Sequence, residues 1–228
     1  MVKLSFYALT LFFGVMGCRE FLQTAQFADL FLSEQALLPE DSTNAAEIGR
    51  LANQAADVVS TGACRSDILD AGLNFIMRDL DLQDPIQHYD DWSKSVARAD
   101  VFIQHALACS PANGDYWVRL AMVRRAAGEN PGELSLLMSK SVALAPSEIS
   151  VLRARFSVWR RASATTLALS NDVLTRDLRT LLDHATPKEI TDILGGAPPN
   201  LQLALAIALR ATSSSRRALL EKEHVRLL

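Results

Sequence analysis

Two prolines, Pro111 and Pro146, stand 35 residues apart, and each closes an apolar stretch of helical spacing. Ala106-Leu107-Ala108-Cys109-Ser110 leads into the first, and Ser141-Val142-Ala143-Leu144-Ala145 leads into the second. Six residues beyond each proline comes a large apolar residue, Trp117 and then Leu152. A helix cannot pass through proline, whose ring clashes with the preceding turn and which has no N–H to donate. An apolar pattern of period ~34 with a proline at the joint is the signature of stacked helical hairpins. Such arrays are interaction scaffolds more often than catalysts.

The composition agrees with an all-α chain. Of its 228 residues, 49% are hydrophobic and only 7% aromatic, with leucine and alanine dominant, which favours helix over sheet. Apolar residues recur along nearly the whole length, so the chain carries enough material for a packed core. The net charge of −3 hides an asymmetry: residues 1–114 hold 7 Lys+Arg against 15 Asp+Glu, whereas residues 115–228 hold 16 against 11. The front is therefore acidic and the back basic. No tight basic cluster with interleaved aromatics occurs, so nucleic acid is not an expected partner.

The N-terminal segment places Lys3 before the apolar run from Leu4 to Gly17, followed by Cys18-Arg19-Glu20. That layout fits a secretory signal over residues 1–17, and the run falls short of the ~20 apolar residues of a spanning helix. Val15-Met16-Gly17-Cys18 resembles the bacterial lipoprotein cleavage box, which implies lipidation at Cys18. Met16 departs from the small residue usual there. An uncleaved short anchor and a buried N-terminal helix remain the alternatives.

With Cys18 set aside, Cys64 and Cys109 form an even pair at expected helix ends, candidates for a disulfide if the chain is exported to an oxidising envelope compartment, with two small buried thiols as the alternative. Without Cys-x-x-Cys, neither a redox centre nor a structural zinc site is expected.

Downstream, Phe21, Ala25, Ala28 and Leu32 predict one helical stripe, broken by Pro39 and residues 40–43. Thr43 or Asn44 is set to cap a helix buried through Ile48, Leu51, Ala52, Ala55, Val58 and Val59, which Gly62 ends. Ser66-Asp67 opens the next helix. Residues 79–91 read as a solvated acidic connector and fail as a calcium loop, since Asp84 stands where glycine is required and Asp90 where glutamate is. Ser93 and Ser147 are expected helix caps. Thr186-Pro187-Lys188-Glu189 is a capping box with proline at the first helical position. Leu201–Leu209 is apolar nearly all round, and a basic amphipathic tail runs from Arg216 to Leu228.

Residues 112–146 resemble a tetratricopeptide repeat: Trp117-x-x-Leu120-Ala121, then Ser141 and the closing Pro146, agree with the family pattern. Arg124, Leu134 and Met138 depart from it. The resemblance implies a Trp117 ring packed between two antiparallel helices, against Met138 and Val142. It divides the chain into a signal or anchor (1–17), tetratricopeptide-like hairpins (18–165) and a small C-terminal helical segment (166–228).

Arg119, Arg124, Arg153 and Arg160 are candidates for a concave surface that binds an anionic glycan, set against the alternative of surface arginines lying over the core. His88, His105, His184 and His224 are isolated, with no zinc spacing, and no phosphate-cradling loop or Gly-x-Ser-x-Gly occurs, so neither cofactor nor catalytic residues are expected. The expected function is a non-enzymatic interaction or assembly module of a bacterial cell envelope, membrane-attached or periplasmic, with a protein partner. Its layout is similar to small helical accessories of envelope polysaccharide export. An α-helical glycan-processing enzyme and a purely structural lipoprotein are the rival readings.

Overall fold

A computed structural model describes residues 2–36 and 44–223. All regular structure among them is helical: α1 (Val2–Gln26), α2 (Ala28–Ala36), α3 (Ala45–Thr61), α4 (Ser66–Leu82), α5 (Tyr89–Cys109), α6 (Gly114–Ala127), α7 (Pro131–Leu144), α8 (Ile149–Trp159), α9 (Ala164–Leu169), α10 (Asn171–His184), α11 (Pro187–Leu194), α12 (Pro199–Ala211) and α13 (Ser214–Lys222). The chain divides into two compact units, Met1–His105 and Ala106–Leu228, with the boundary inside α5.

In the first unit α3 and α4 form the central pair. Asn44 caps α3 by accepting from the Ala46 N–H, and Gly62 ends the helix in the left-handed conformation at φ 64°. The stripe Ile48, Leu51, Ala52, Ala55 and Val58 is buried, with Val59 half-exposed at its edge. The start of α3 approaches the end of α4, where Gly49 faces the Asp79 carboxylate, so the two helices run antiparallel. A Cβ on Gly72 would lie 2.8 Å from the Phe102 ring, so glycine is what lets α5 approach α4 there. The expected stripe on the first helix has the wrong phase. Phe21 and Leu32 are exposed, whereas Phe27 and Leu30 are fully buried. The reason is a break at Phe27 between α1 and α2, which resets the helical register. Pro39 and residues 40–43, expected to end this helix, lie outside the described residues.

The acidic connector is also shorter than expected. Asp79 belongs to α4 and is buried, accepting from Ser95 Oγ at 2.8 Å and pairing with Arg98 at 3.3 Å. A carboxylate so enclosed is tolerated because Ser95 and Arg98 of α5 and Gln83 at the end of α4 all donate to it. Helix α5 begins at Tyr89, not at Ser93, whose hydroxyl instead donates to the Asp90 carbonyl within the helix.

In the second unit α6 and α7 pack as an antiparallel pair. A Cβ on Gly114 would come within 2.5 Å of the Ala145 Cβ, so only glycine permits the start of α6 to meet the end of α7. Asn113 and Asn130 cap the two helices through their side-chain oxygens. The cap position before α8 is Glu148 rather than Ser147, and it makes no side-chain cap bond. Pro187 opens α11 behind a complete capping box between Thr186 and Glu189. The helix Pro199–Ala211 buries Leu201, Leu205 and Ala208 while Leu203 and Ile207 face outward. Helix α9, capped by Ser163 on Thr166, has no counterpart in the sequence reading.

Trp117 is not the buried aromatic of the α6–α7 pair. It is half-exposed, and its indole N–H donates to the Pro111 carbonyl at 2.8 Å. Tyr116 is fully buried, together with Val118, Leu120, Ala121 and Val123. Positions 116, 120 and 123 fall on one helical face, one residue out of phase with the tryptophan of a tetratricopeptide repeat. Tyr116→Ala should therefore lower the unfolding free energy by about 3–5 kcal/mol through lost burial and a cavity. Trp117→Phe, which removes the indole donor and shrinks a half-exposed ring, should cost about 0.5–1.5 kcal/mol. Urea titrations followed by circular dichroism measure both, and the reverse ranking would refute this packing.

The Thr186–Glu189 box also predicts a pH dependence. Hydrogen bonds from the Thr186 backbone N–H and hydroxyl hold the Glu189 carboxyl below its ordinary value of 4.5. A group with a depressed folded value stabilises above its unfolded value and loses that contribution as pH falls through the folded one. The melting temperature of wild type should exceed that of Glu189→Gln near neutrality. The gap should close below about pH 4.5.

Candidate functional site

The four arginines proposed as a binding surface occupy α6, α8 and the end of α8. Arg119 lies 3.3 Å from the Asp115 carboxylate one turn earlier. Arg124 faces Glu133 of α7 at 3.6 Å. Arg160 donates to three main-chain carbonyls, those of Ile193, Gly195 and Gly196, at 3.0, 3.1 and 2.9 Å. Ile193 belongs to the last turn of α11, whose carbonyls a helix must satisfy from outside, and Gly195 and Gly196 form the turn that follows it. Arg153 is exposed, and its charge helps to keep the Glu189 carboxyl low. Three of the four guanidiniums thus have local partners, and one of them closes a helix end.

The most enclosed charges lie elsewhere. Arg155 and Asp177 are both fully buried. The Arg155 Nε lies 3.0 and 2.9 Å from the two Asp177 oxygens, and its Nη2 lies 2.9 Å from Oδ1. Its Nη1 reaches Ser141 Oγ and the Ala145 carbonyl at 3.3 and 3.0 Å. Trp159 Nε1 donates to the same carboxylate at 2.9 Å. Burial pushes the Asp177 carboxyl up, and the Arg155 guanidinium and the Trp159 N–H pull against it. The set is closed on itself and links α7, α8 and α10. The sequence carried one signal for it, a lone arginine and a lone aspartate at positions where the helical stripes of α8 and α10 require apolar residues.

On the outer face of α10 a shallow depression is lined by Asp172, Thr175, Arg176, Arg179, Thr180, Asp183 and His184. All seven come from one helix whose opposite face, Leu174, Leu178, Leu181 and Leu182, is buried. It is the polar side of an amphipathic helix, with carboxylates at its two ends and arginines at its middle.

Glu129 makes a tighter local contact. It accepts from the Ser163 N–H at 2.9 Å and from the Thr166 hydroxyl, tying the end of α6 to the start of α9. Burial raises this carboxyl and the Thr166 and Ser163 hydrogen bonds lower it, with a net downward shift. Cys18 is exposed and free, whereas Cys64 and Cys109 are disulfide-bonded.

No protein-family model, curated protein or solved structure matches this chain.

Arg160→Ala removes the donor to three helix-end carbonyls, and should cost about 1–3 kcal/mol. Arg153→Ala, on the same helix two turns away but exposed, should stay within about 0.5 kcal/mol. Thermal melts of the two variants measure the contrast, and equal losses would show that Arg160 does not close α11.

Proposed function

We propose that this protein is a non-enzymatic interaction module of a bacterial cell envelope, brought to a membrane by its N-terminal segment, with tetratricopeptide-like hairpins as its partner-binding part. The observation that carries the reading is α1. Tyr7, Leu9, Leu11, Phe12, Phe13, Val15 and Met16 are all exposed on it, at 71% for Leu11. A helix that is apolar all round belongs in an apolar medium rather than in water. Among the described residues, no helix is long and apolar enough to cross a membrane. An export signal ending before Cys18 accounts for such a segment without a span. The exposed free thiol of Cys18 is the acceptor that lipidation would use.

The hairpins supply the rest of the reading. Arg153 is the exposed one of the four arginines, and a role in envelope polysaccharide export would use it for an anionic glycan.

A fusion of residues 1–40 to a reporter active only outside the cytoplasm should be active. Cys18→Ser should release the full chain from membranes while leaving its melting temperature unchanged, because Cys18 is exposed. A silent but well-expressed reporter refutes export, and a membrane-bound Cys18→Ser variant refutes lipidation as the anchor.

A further inference from the structure

The turn between α4 and α5 displays apolar side chains that the first unit does not cover. Ile86 is 90% exposed and Tyr89 62% exposed, and Leu82 at the end of α4 is exposed as well. Tyr89 is in ring contact with Trp92, the centroids 5.5 Å apart and the planes tilted by 40°. An isolated exposed leucine is ordinary, but an isoleucine almost wholly in water beside an aromatic pair is not.

The display is built rather than slack. Asp84 Oδ1 accepts from the Ile86 and Gln87 N–H groups at 2.8 and 3.2 Å. The His88 N–H donates to the Asp84 carbonyl and the Trp92 N–H to the His88 carbonyl, each at 3.0 Å. Pro85 fixes φ immediately before Ile86. A side chain held in place before binding loses little entropy when a partner covers it, which is the property of an interface anchor.

Charge selects the partner. Residues 81–94 carry Asp81, Asp84, Asp90 and Asp91 against Lys94 alone, and Lys94 is paired with Asp91 at 3.0 Å. The two backbone hydrogen bonds keep the Asp84 carboxyl below its ordinary value, so it stays ionised near neutrality. Anionic lipid surfaces and anionic glycans are repelled by this rim. A neutral sugar would use an aromatic face but gain nothing from four carboxylates. An apolar centre with an acidic rim is complementary to a helix that has an apolar stripe flanked by Lys or Arg.

We infer that the Leu82–Trp92 turn is a docking surface for a cationic amphipathic helix of a partner protein, with Ile86 and Tyr89 as its apolar anchors and the surrounding aspartates as its charge match. The assignment stands on the geometry of this turn and not on the membrane reading, so either can fail alone.

The test uses the purified full chain and a Leu/Lys peptide of about five helical turns, followed by titration calorimetry. A peptide with Glu in place of Lys and a neutral glucan oligosaccharide serve as controls. Wild type should bind the Leu/Lys peptide, with affinity falling as salt rises, and should bind neither control. Ile86→Ser and Tyr89→Ser should each weaken binding about tenfold or more while the melting temperature is kept, since both side chains are exposed. Asp84→Asn would loosen the turn itself, so the charge arm uses Asp90→Asn with Asp91→Asn, which should flatten the salt dependence. Peptide binding that is unchanged in both serine variants reduces the effect to general attraction by an acidic unit and overturns the inference. Absence of peptide binding, or binding of the glucan in its place, also overturns it.

Discussion

The second unit is organised around a buried charge pair. Removing Arg155 and Asp177 from water costs several kcal/mol per ion, and the cost is offset by their mutual attraction together with further hydrogen bonds to both groups. Here the carboxylate accepts from Nε of the arginine and from the indole N–H of Trp159, Nη2 stands 2.9 Å from Oδ1 as an ion-pair contact, and Nη1 ends on Ser141 and the Ala145 carbonyl. The consequence is positional. A leucine–leucine contact tolerates sliding by a fraction of a helical turn, but a guanidinium held by Asp177 of α10 and by Ser141 and the Ala145 carbonyl at the end of α7 does not. The register of α8 against α10, and of both against the end of α7, is therefore set by this one side chain. Gly114 complements it, because the Ala145 carbonyl can reach Arg155 only where the end of α7 lies tight against the start of α6.

That arrangement explains which parts of the structure could be read from the sequence. Local signals suffice where they act within four residues and need no knowledge of the fold: the Asn44 and Thr186 caps, the Gly62 stop and the proline at the first position of α11. The buried stripe of α3 held because an amphipathic helix with one core face obeys a simple period. Trp117 failed because α6 is buried on more than one side. When Tyr116, Val118, Leu120, Ala121 and Val123 are all enclosed, period alone does not say which aromatic points inward. Asp79 was hidden for a related reason. A carboxylate looks solvated in sequence, and only the arrival of Ser95 and Arg98 from the next helix makes its burial tolerable.

The arginines divide along the same line. Basic residues two turns apart on α8 suggest a shared function, yet their surroundings separate them. Arg160 meets carbonyls left open by α11, and Arg153 meets solvent. Between them on the chain, Arg155 meets the core. Sequence spacing places side chains on a helix face but is silent about what the neighbouring helix offers, and a bare carbonyl at a helix end attracts a guanidinium as effectively as a ligand would.

The exposed apolar residues follow a different logic from the buried ones. In α12 the outward Leu203 and Ile207 lie on the face opposite the buried Leu201, Leu205 and Ala208, a modest excess for a helix of low polarity. In α1 the exposed apolar residues from Tyr7 to Met16 fall on more than one side of the helix, so a single protein face laid against it would cover only part of them. At the α4–α5 turn the excess is small in area, but it is fixed by backbone hydrogen bonds to Asp84 and ringed by like charge. Water-exposed carboxylates repel one another, and Ile86 gains nothing from the solvent around it, so the isolated unit holds two unfavourable features at one place. A cation-bearing apolar partner relieves both together. That coincidence distinguishes this turn from a merely exposed leucine, and it does so without reference to where in the cell the protein resides.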